Sequence, residues 1–502
     1  MNRISWVPVA AVLVIAASIV AIWTWRVARQ RSSAQSIVLY CAAGIKPPVE
    51  AARRDYEKDY GVQVQVQYGG SGTLLSNLRI ARSGDLYLAA DQSYLDLARG
   101  QGLLAETLPL ARLRPVIAVP KGNPKRIGSL EDLCRGDVRV ALANPDAASI
   151  GRTVQKLLEK DSRWARLEKH ATVFKPTVSD VANDVKIGSV DAGVVWDATV
   201  RQYPELEMIR LPLFDTAEET IGVGVLEFSE HPTAALRFAR YLAARDRGLA
   251  HFERLGYEPV EGDPWAETPE IVLYSGAMNR VAVEETIKRF QEREGARVTT
   301  VFNGCGILVG QMKAGGRPDA YLTCDRSFVP PVKDLFAGDP LGMSETDILI
   351  LVAKGNPKGI KSLADLGQPG LHLGTANPEQ STLGALTKRL LEQEGLYDKV
   401  SANVRVQTPT ADMLVNQMQT GALDAVVVYD SNTIKVRDKL DLVRIDRPGT
   451  VAVQTFSVAK GAKYRQLALR LLDALRSEES RARYEAAGFR WLGPGKVSRA
   501  DK

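Results

Sequence analysis

The chain has 502 residues, 45% hydrophobic, 25% charged and 7% aromatic. That balance excludes a disordered, collagen-like or coiled-coil protein and leaves room for roughly two to four domains. The formal charge is +6, of which Arg3, Arg26, Arg29 and Arg31 supply four with no acid in residues 1–34, so the rest carries about +2. This gives no electrostatic reason to expect nucleic acid as a partner.

Trp6 to Trp25 is a run of twenty residues without a charge. At 1.5 Å per residue it forms about 30 Å of helix, the thickness of a hydrocarbon core. Trp6, Trp23 and Trp25 stand at its ends, where indoles favour the interface. Residues 6–25 therefore read as a transmembrane anchor. The competing reading is a cleaved secretory signal, with Ser32-Ser33-Ala34 as its small-residue site, but Arg26, Arg29 and Arg31 intervene. Those arginines outnumber Arg3 before the span, so the positive-inside rule taken alone puts the body in the cytoplasm.

Beyond the span, short β-branched runs alternate with amphipathic stretches. Ser36–Tyr40 reads as a strand, Pro48–Tyr60 as a helix, Val62–Tyr68 as a strand and Thr73–Ser83 as a helix. Val116–Val119 (strand), Leu130–Arg135 (short helix), Val138–Ala141 (strand), Ile150–Lys160 (helix), Ala192–Trp196 (strand) and a helix near Thr233–Arg245 follow. The alternation predicts an α/β sandwich on mostly parallel strands. Ligands in such folds sit beyond the strand carboxyl ends.

The pattern is then written again at an offset of 233–234 residues. Val38-Leu39-Tyr40 recurs as Val272-Leu273-Tyr274, and Gly69-Gly70-Ser71-Gly72 as Asn303-Gly304-Cys305-Gly306. Lys121–Leu133 returns as Lys354–Leu366, identical at ten of thirteen positions. A period this long marks domain-sized bodies rather than a solenoid. The reading is domain 1 over 37–257, a Pro-rich acidic linker over 258–269, domain 2 over 270–489 and a tail over 490–502.

Four loop-to-helix junctions stand out in domain 1: Cys41–Gly44, Gly69–Gly72, Ala147–Gly151 and Pro176–Asp180. Each combines small residues with the positive end of a helix, which suits an anion held without a cationic side chain. Taken singly, such loops only cap helices and make turns. As an ordered set present twice, they point to anion capture.

The motifs Val38–Leu78, Gly84–Asp96, Val119–Pro124, Ala141–Gly151 and Val190–Ala198 resemble the periplasmic molybdate-binding protein family, the solute receptors of ABC transporters. The resemblance spans nearly all of both units. It implies tandem type II periplasmic-binding domains, each of two α/β lobes joined by a hinge. It also implies a small tetrahedral oxyanion as ligand (molybdate, tungstate or sulfate) and an ABC permease as partner. No cofactor and no free metal cation are implied; the metal oxyanion is itself the ligand. The body would lie in the periplasm, anchored to the inner membrane by the N-terminal helix, against the arginine count.

In that family two serine hydroxyls, backbone amides and a tyrosine hydroxyl hold the anion. Carried over position by position, the domain 1 set is Gly44, Ser71, Ile150, Val178 and Trp196. One hydroxyl is thereby lost at Gly44, and an indole N–H replaces the phenol at Trp196. The domain 2 set is Met278, Cys305, Leu383, Ala411 and Tyr429, where tyrosine returns but both serines are gone. Lys46 and Arg280 occupy matching places and either compensate by charge or are solvated helix-flanking residues. A pocket of donors alone suits unprotonated dianions, whereas hydrogen phosphate would leave an unmatched buried group costing roughly 1–3 kcal/mol.

Nothing assigns a catalytic residue. His170, His231, His251 and His372 form no H-E-x-x-H or other ligand spacing. The four cysteines, Cys41, Cys134, Cys305 and Cys324, contain no C-x-x-C pair and so suggest neither a zinc ribbon nor a disulfide framework. Asp85, Asp91, Asp319 and Asp325 read as turn caps. Cys305 is either a small residue in place of serine or a reactive thiol at a helix start. The rival to a transport receptor is an anchored oxyanion sensor or scaffold in which domain 2 no longer binds ligand.

Overall fold

The strand Ser36–Ala42 has parallel partners on both sides, Gln63–Gly69 and Leu86–Ala89. A strand so placed is covered on both faces, which is why its sequence is a near-continuous apolar run. The helix Lys46–Tyr60 packs on it through Val49, Ala52 and Tyr56. Pro47 and Pro48 occupy its first turn, where no N–H is needed, and Gly61 ends it in the left-handed conformation, φ 68°.

The computed structural model describes residues 36–493, 498 and 499. The proposed anchor over 6–25 and most of the tail after 490 lie outside them. Among the described residues no helix is long and apolar enough to cross a membrane. The chain divides into two compact units, with the break between Trp265 and Ala266.

Unit 1 holds two sheets, one per lobe. The first has six strands, in which Leu104–Leu113 and Glu219–Leu226 join the parallel trio and run antiparallel to their neighbours. The second has five, with Val140–Ala143 parallel to Val173–Lys175 and Ala192–Trp196, and Pro115–Pro120 antiparallel to its two partners. The expected mostly parallel sheets are thus mixed, because the strands that carry the chain between lobes run against the βαβ strands. The predicted helix at Leu130–Arg135 is a single 3-10 turn, Glu131–Cys134.

The crossings lie at Arg114 and between Ile209 and Glu219. Arg114 binds Glu258 at 2.9 Å and also pairs with Glu218, while its amide donates to Asp197 at 3.2 Å. Pro115 starts the second sheet without an N–H to give, so the outgoing strand is cut in two. In unit 2 the matching position is Ile348, whose N–H bonds Thr450 at 2.7 Å. There one strand, Phe336–Ala353, runs unbroken through both lobes and a single ten-stranded sheet results.

Glu219 begins the returning strand and accepts a hydrogen bond from Thr153, on a helix of the other lobe, at 3.2 Å. Burial, and then the charge of Asp91, push its carboxyl up to about 7. The folded chain therefore holds this proton more tightly than the unfolded chain does. Its contribution to stability is whole below the ordinary carboxylate value and is lost as pH rises through 7. Glu219→Gln should flatten the decline in unit 1 stability between pH 5 and 7.5. The difference should be about 1 kcal/mol once solvent screening is allowed for, measured by denaturant melts followed through tryptophan fluorescence.

Candidate functional site

Three helices of unit 1 begin at one place: Ser71–Ala81 from the first lobe, and Ser149–Leu158 and Val178–Lys186 from the second. Their approach is set by a glycine. A Cβ built on Gly70 would lie 2.2 Å from the Ala147 carbonyl oxygen and 2.5 Å from that of Pro176. Both obstructions are backbone, so no side chain can give way. Next to it the amides of Gly72 and Thr73 donate to the same Ala147 oxygen, at 2.9 and 3.4 Å. Tyr94 donates to Pro145 at 3.2 Å. These contacts hold the lobes closed on one another.

Between the three helix starts lies a cavity of about 20 Å³, lined by all five expected residues, Gly44, Ser71, Ile150, Val178 and Trp196. No charged side chain lines it. The N–H groups of Ser71, Ile150 and Val178 make no hydrogen bond to any described residue. First-turn amides project beyond the helix end, so each helix aims donors and the positive end of its dipole at the same point. One such end contributes about 0.3–1 kcal/mol toward an anion, up to ~2 when partly buried.

Ser71 Oγ accepts from the Ala90 amide at 3.2 Å and from Ser149 Oγ at 2.8 Å. Ser149 is a hydroxyl that position-by-position transfer from the family missed. The second hydroxyl of this cleft comes from the opposite lobe, not from residue 44. Its signal was present in the Ala147–Gly151 loop, but only the fold shows that it reaches Ser71. Gly44 is glycine for a steric reason, since its Cβ would stand 2.6 Å from Val178 Cγ1. Valine is stiff at χ1 and yields poorly. Trp196 is 1% exposed.

Lys46 does not supply charge to this cleft. Its ammonium lies over the Tyr68 ring, 5.1 Å from the centroid, and borders a separate surface hollow with Glu50 and Arg254. Arg280 is arranged alike, 4.5 Å over Phe302. Asp85 and Asp319 accept the amides of Val38 and Val272 at 2.9 and 2.8 Å. Asp91 and Asp325 cap the turns that follow them.

Unit 2 repeats the geometry with other side chains. A Cβ on Gly304 would lie 2.3 Å from the Gln380 carbonyl oxygen and 2.7 Å from that of Pro409. The helices Cys305–Lys313, Thr382–Gln393 and Ala411–Gln419 therefore start together. Cys305, Leu383, Ala411 and Tyr429 are all buried there. Cys305 Sγ accepts the Cys324 amide at 3.1 Å, as Ser71 accepts that of Ala90. Met278 instead lines a wide hollow of about 920 Å³ with Arg280, Asp412 and Lys435. Among the described residues no group of three or more His, Cys, Asp or Glu side chains is placed to hold a metal ion.

A family model described as bacterial extracellular solute-binding protein matches residues 37–258 and again 271–490. A putative binding protein of Haemophilus influenzae is 28% identical over 229 residues, covering 45% of this chain and 93% of the relative. The molybdate-binding protein ModA of Mycobacterium tuberculosis is 29% identical over 224 residues, 44% of this chain and 84% of the relative. A sulfate-binding protein of Synechococcus elongatus is 25% identical over 256 residues, covering 44% and 73%. Each alignment has the length of one unit.

The closed contact at Gly70 is open to test. Gly70→Ala should force the lobes of unit 1 apart and expose the Gly72 and Thr73 amides. Hydrogen exchange read by mass spectrometry should show faster exchange in peptides spanning Gly70–Leu75, and unchanged protection would refute the contact's role.

Proposed function

The chain belongs to the bacterial extracellular solute-binding proteins, and from that premise we propose that its first unit captures a small tetrahedral oxyanion of the molybdate class for an ABC importer. The observation that carries this reading is a closed cleft with amide and hydroxyl donors and no charged lining. An unprotonated dianion only accepts hydrogen bonds and so suits a set made of donors. Hydrogen phosphate brings a proton with no acceptor to meet it, a mismatch of roughly 1–3 kcal/mol. To admit the guest, Ser71 and Ser149 exchange their mutual hydrogen bond for two to the anion.

The likeness to proteins named molybdate-binding and sulfate-binding supports an oxyanion, and cavity size decides between those two. A receptor of this kind works on the outer face of the inner membrane. The uncharged run Trp6–Trp25 would tether it there, with the body in the periplasm. On this reading the chain carries out no catalysis.

A second reading is favoured by the side chains of unit 2. Where unit 1 offers Ser71 and Ser149, unit 2 offers Cys305 and Thr382, and thiols are weak donors. That loss suits an anchored sensor or scaffold whose second unit does not take the same anion.

Calorimetry on the full chain with molybdate, tungstate, sulfate and phosphate tests both readings. Heat is expected for the dianions with one bound per chain, and absence of heat for all four would remove the oxyanion reading. Ser71→Ala and Ser149→Ala should each weaken molybdate binding about tenfold, the worth of one hydrogen bond to a charged partner. A stoichiometry of two per chain would remove the sensor reading.

A further inference from the structure

Three substitutions separate the floor of the second cleft from the first, and they fit one another. Ser71 becomes Cys305, Ala90 becomes Cys324 and Ala42 becomes Gly276. The two sulfurs stand 3.1 Å apart, both side chains are buried and both thiols are free. A Cβ on Gly276 would lie 2.1 Å from Cys324 Sγ and 3.2 Å from Cys305 Sγ. Gly276 has φ −56°, which any residue can adopt. It is therefore glycine to make room for the second sulfur.

Two buried hydroxyls stand near this pair. Thr382, the counterpart of Ser149, stands beside both sulfurs. The Tyr429 phenol lies within electrostatic reach of both. Each is buried; Thr382 is within hydrogen-bonding reach of the sulfurs, and the Tyr429 oxygen makes no hydrogen bond among the described residues. A disulfide would weaken the sulfur acceptors beside Thr382 and still leave the Tyr429 phenol unpaired, at the usual cost of a buried unpaired polar group. A guest that bonds the sulfurs and still carries an oxygen satisfies all four groups.

Burial pushes the Cys305 thiol up, but hydrogen bonds from the Cys324 thiol, the Thr382 hydroxyl, the Cys324 amide and the Tyr321 phenol outweigh it and bring it down. Cys324, as donor, is driven well above the ordinary thiol range. Cys305 also stands at the N-terminus of a nine-residue helix, whose positive end favours the thiolate form. Thiolates select soft partners over hard oxyanions.

We propose that the second unit binds a trivalent metalloid oxyacid of the arsenite class by covalent chelation between Cys305 and Cys324. Each sulfur forms an S–As bond as one As–O bond breaks. The departing hydroxide takes the thiol proton and leaves as water, so two waters are released. Arsenic stays trivalent, and no oxidant or reductant is consumed. The remaining As–OH oxygen accepts from Tyr429 Oη and Thr382 Oγ1. This rests on reading unit 2 as a solute-binding cleft and changes its guest from a dianion to a neutral acid.

The test uses the full chain, reduced, with four thiols counted after denaturation. It is equilibrated with arsenite and dialysed, and bound arsenic is measured by mass spectrometry. One arsenic per chain is expected. It should be lost in Cys305→Ser and in Cys324→Ser and kept in Cys41→Ser and Cys134→Ser. Tyr429→Phe, which keeps both thiols, should lower retention without abolishing it, and this guards against a cysteine variant that fails to fold. No arsenic on the reduced chain, or equal arsenic on the double cysteine variant, would overturn the proposal. So would a Cys305–Cys324 disulfide that reductant cannot open in the folded chain. Molybdate heat measured in the same samples belongs to unit 1, so failure of that reading is told apart from failure of this one.

Discussion

Each cleft is organised by one steric fact: where its lobes meet there is no space for a β-carbon. Gly70 sits against the Ala147 and Pro176 carbonyls, and Gly304 against those of Gln380 and Pro409. That contact fixes the spacing of three helix starts, two from one lobe and one from the other. Once the starts converge, their unbonded first-turn amides have a common target. The partial charges of three helix ends then add in a region with little water to screen them. Nothing else in unit 1 supplies positive character to the cavity, since Lys46 is engaged over Tyr68. Binding capacity is therefore a property of the backbone, and it depends on how closely the lobes can approach.

Much of this was legible in the sequence because the signals are local. Many strands and helices of unit 1 followed from apolar periodicity, and helix starts from small residues after strand ends, whereas the strands Leu86–Ala89, Leu104–Leu113 and Glu219–Leu226 were not read. The resemblance named Gly44, Ser71, Ile150, Val178 and Trp196, and the fold brings all five around one cavity. What was not legible depends on contacts distant along the chain. Ser149 reaches Ser71 across 78 residues, so transfer along a motif searched for the second hydroxyl at residue 44 and found glycine. Strand direction was missed for the same reason, because it depends on which strands cross between lobes. The helix expected over Pro48–Tyr60 begins two residues earlier, at Lys46, so both prolines fall in its first turn, where they are tolerated.

The two units also show how much a hinge owes to one residue. Pro115 withholds an N–H at the crossing and the sheet of unit 1 splits there, whereas Ile348 keeps its bond to Thr450 and the sheet of unit 2 continues. Arginine pairs secure each crossing: Arg114 with Glu258 in one, Arg490 with Glu345 and Asp347 in the other. A broken ladder bends at lower cost than a continuous one, because fewer hydrogen bonds are strained. The two clefts are thus built alike at their mouths and differently at their hinges.

Because the backbone supplies the shared donors, the chemistry of each cleft is set by a handful of side chains. In unit 1 Ser71 and Ser149 are hard oxygen donors that form and release hydrogen bonds quickly. In unit 2 Cys305 and Cys324 put soft sulfur in the corresponding place, with Thr382 beside both and the Tyr429 phenol unpartnered nearby. Exchanging oxygen for sulfur replaces reversible hydrogen bonding with ligand exchange at a thiolate, a slower and more selective process. A guest held in that way is retained rather than passed on. On the proposed reading, duplication of the cleft frame lets one chain combine two guests of different chemistry, through the exchange of Ser71, Ala90 and Ala42 for Cys305, Cys324 and Gly276 together with Thr382 and Tyr429 in place of Ser149 and Trp196.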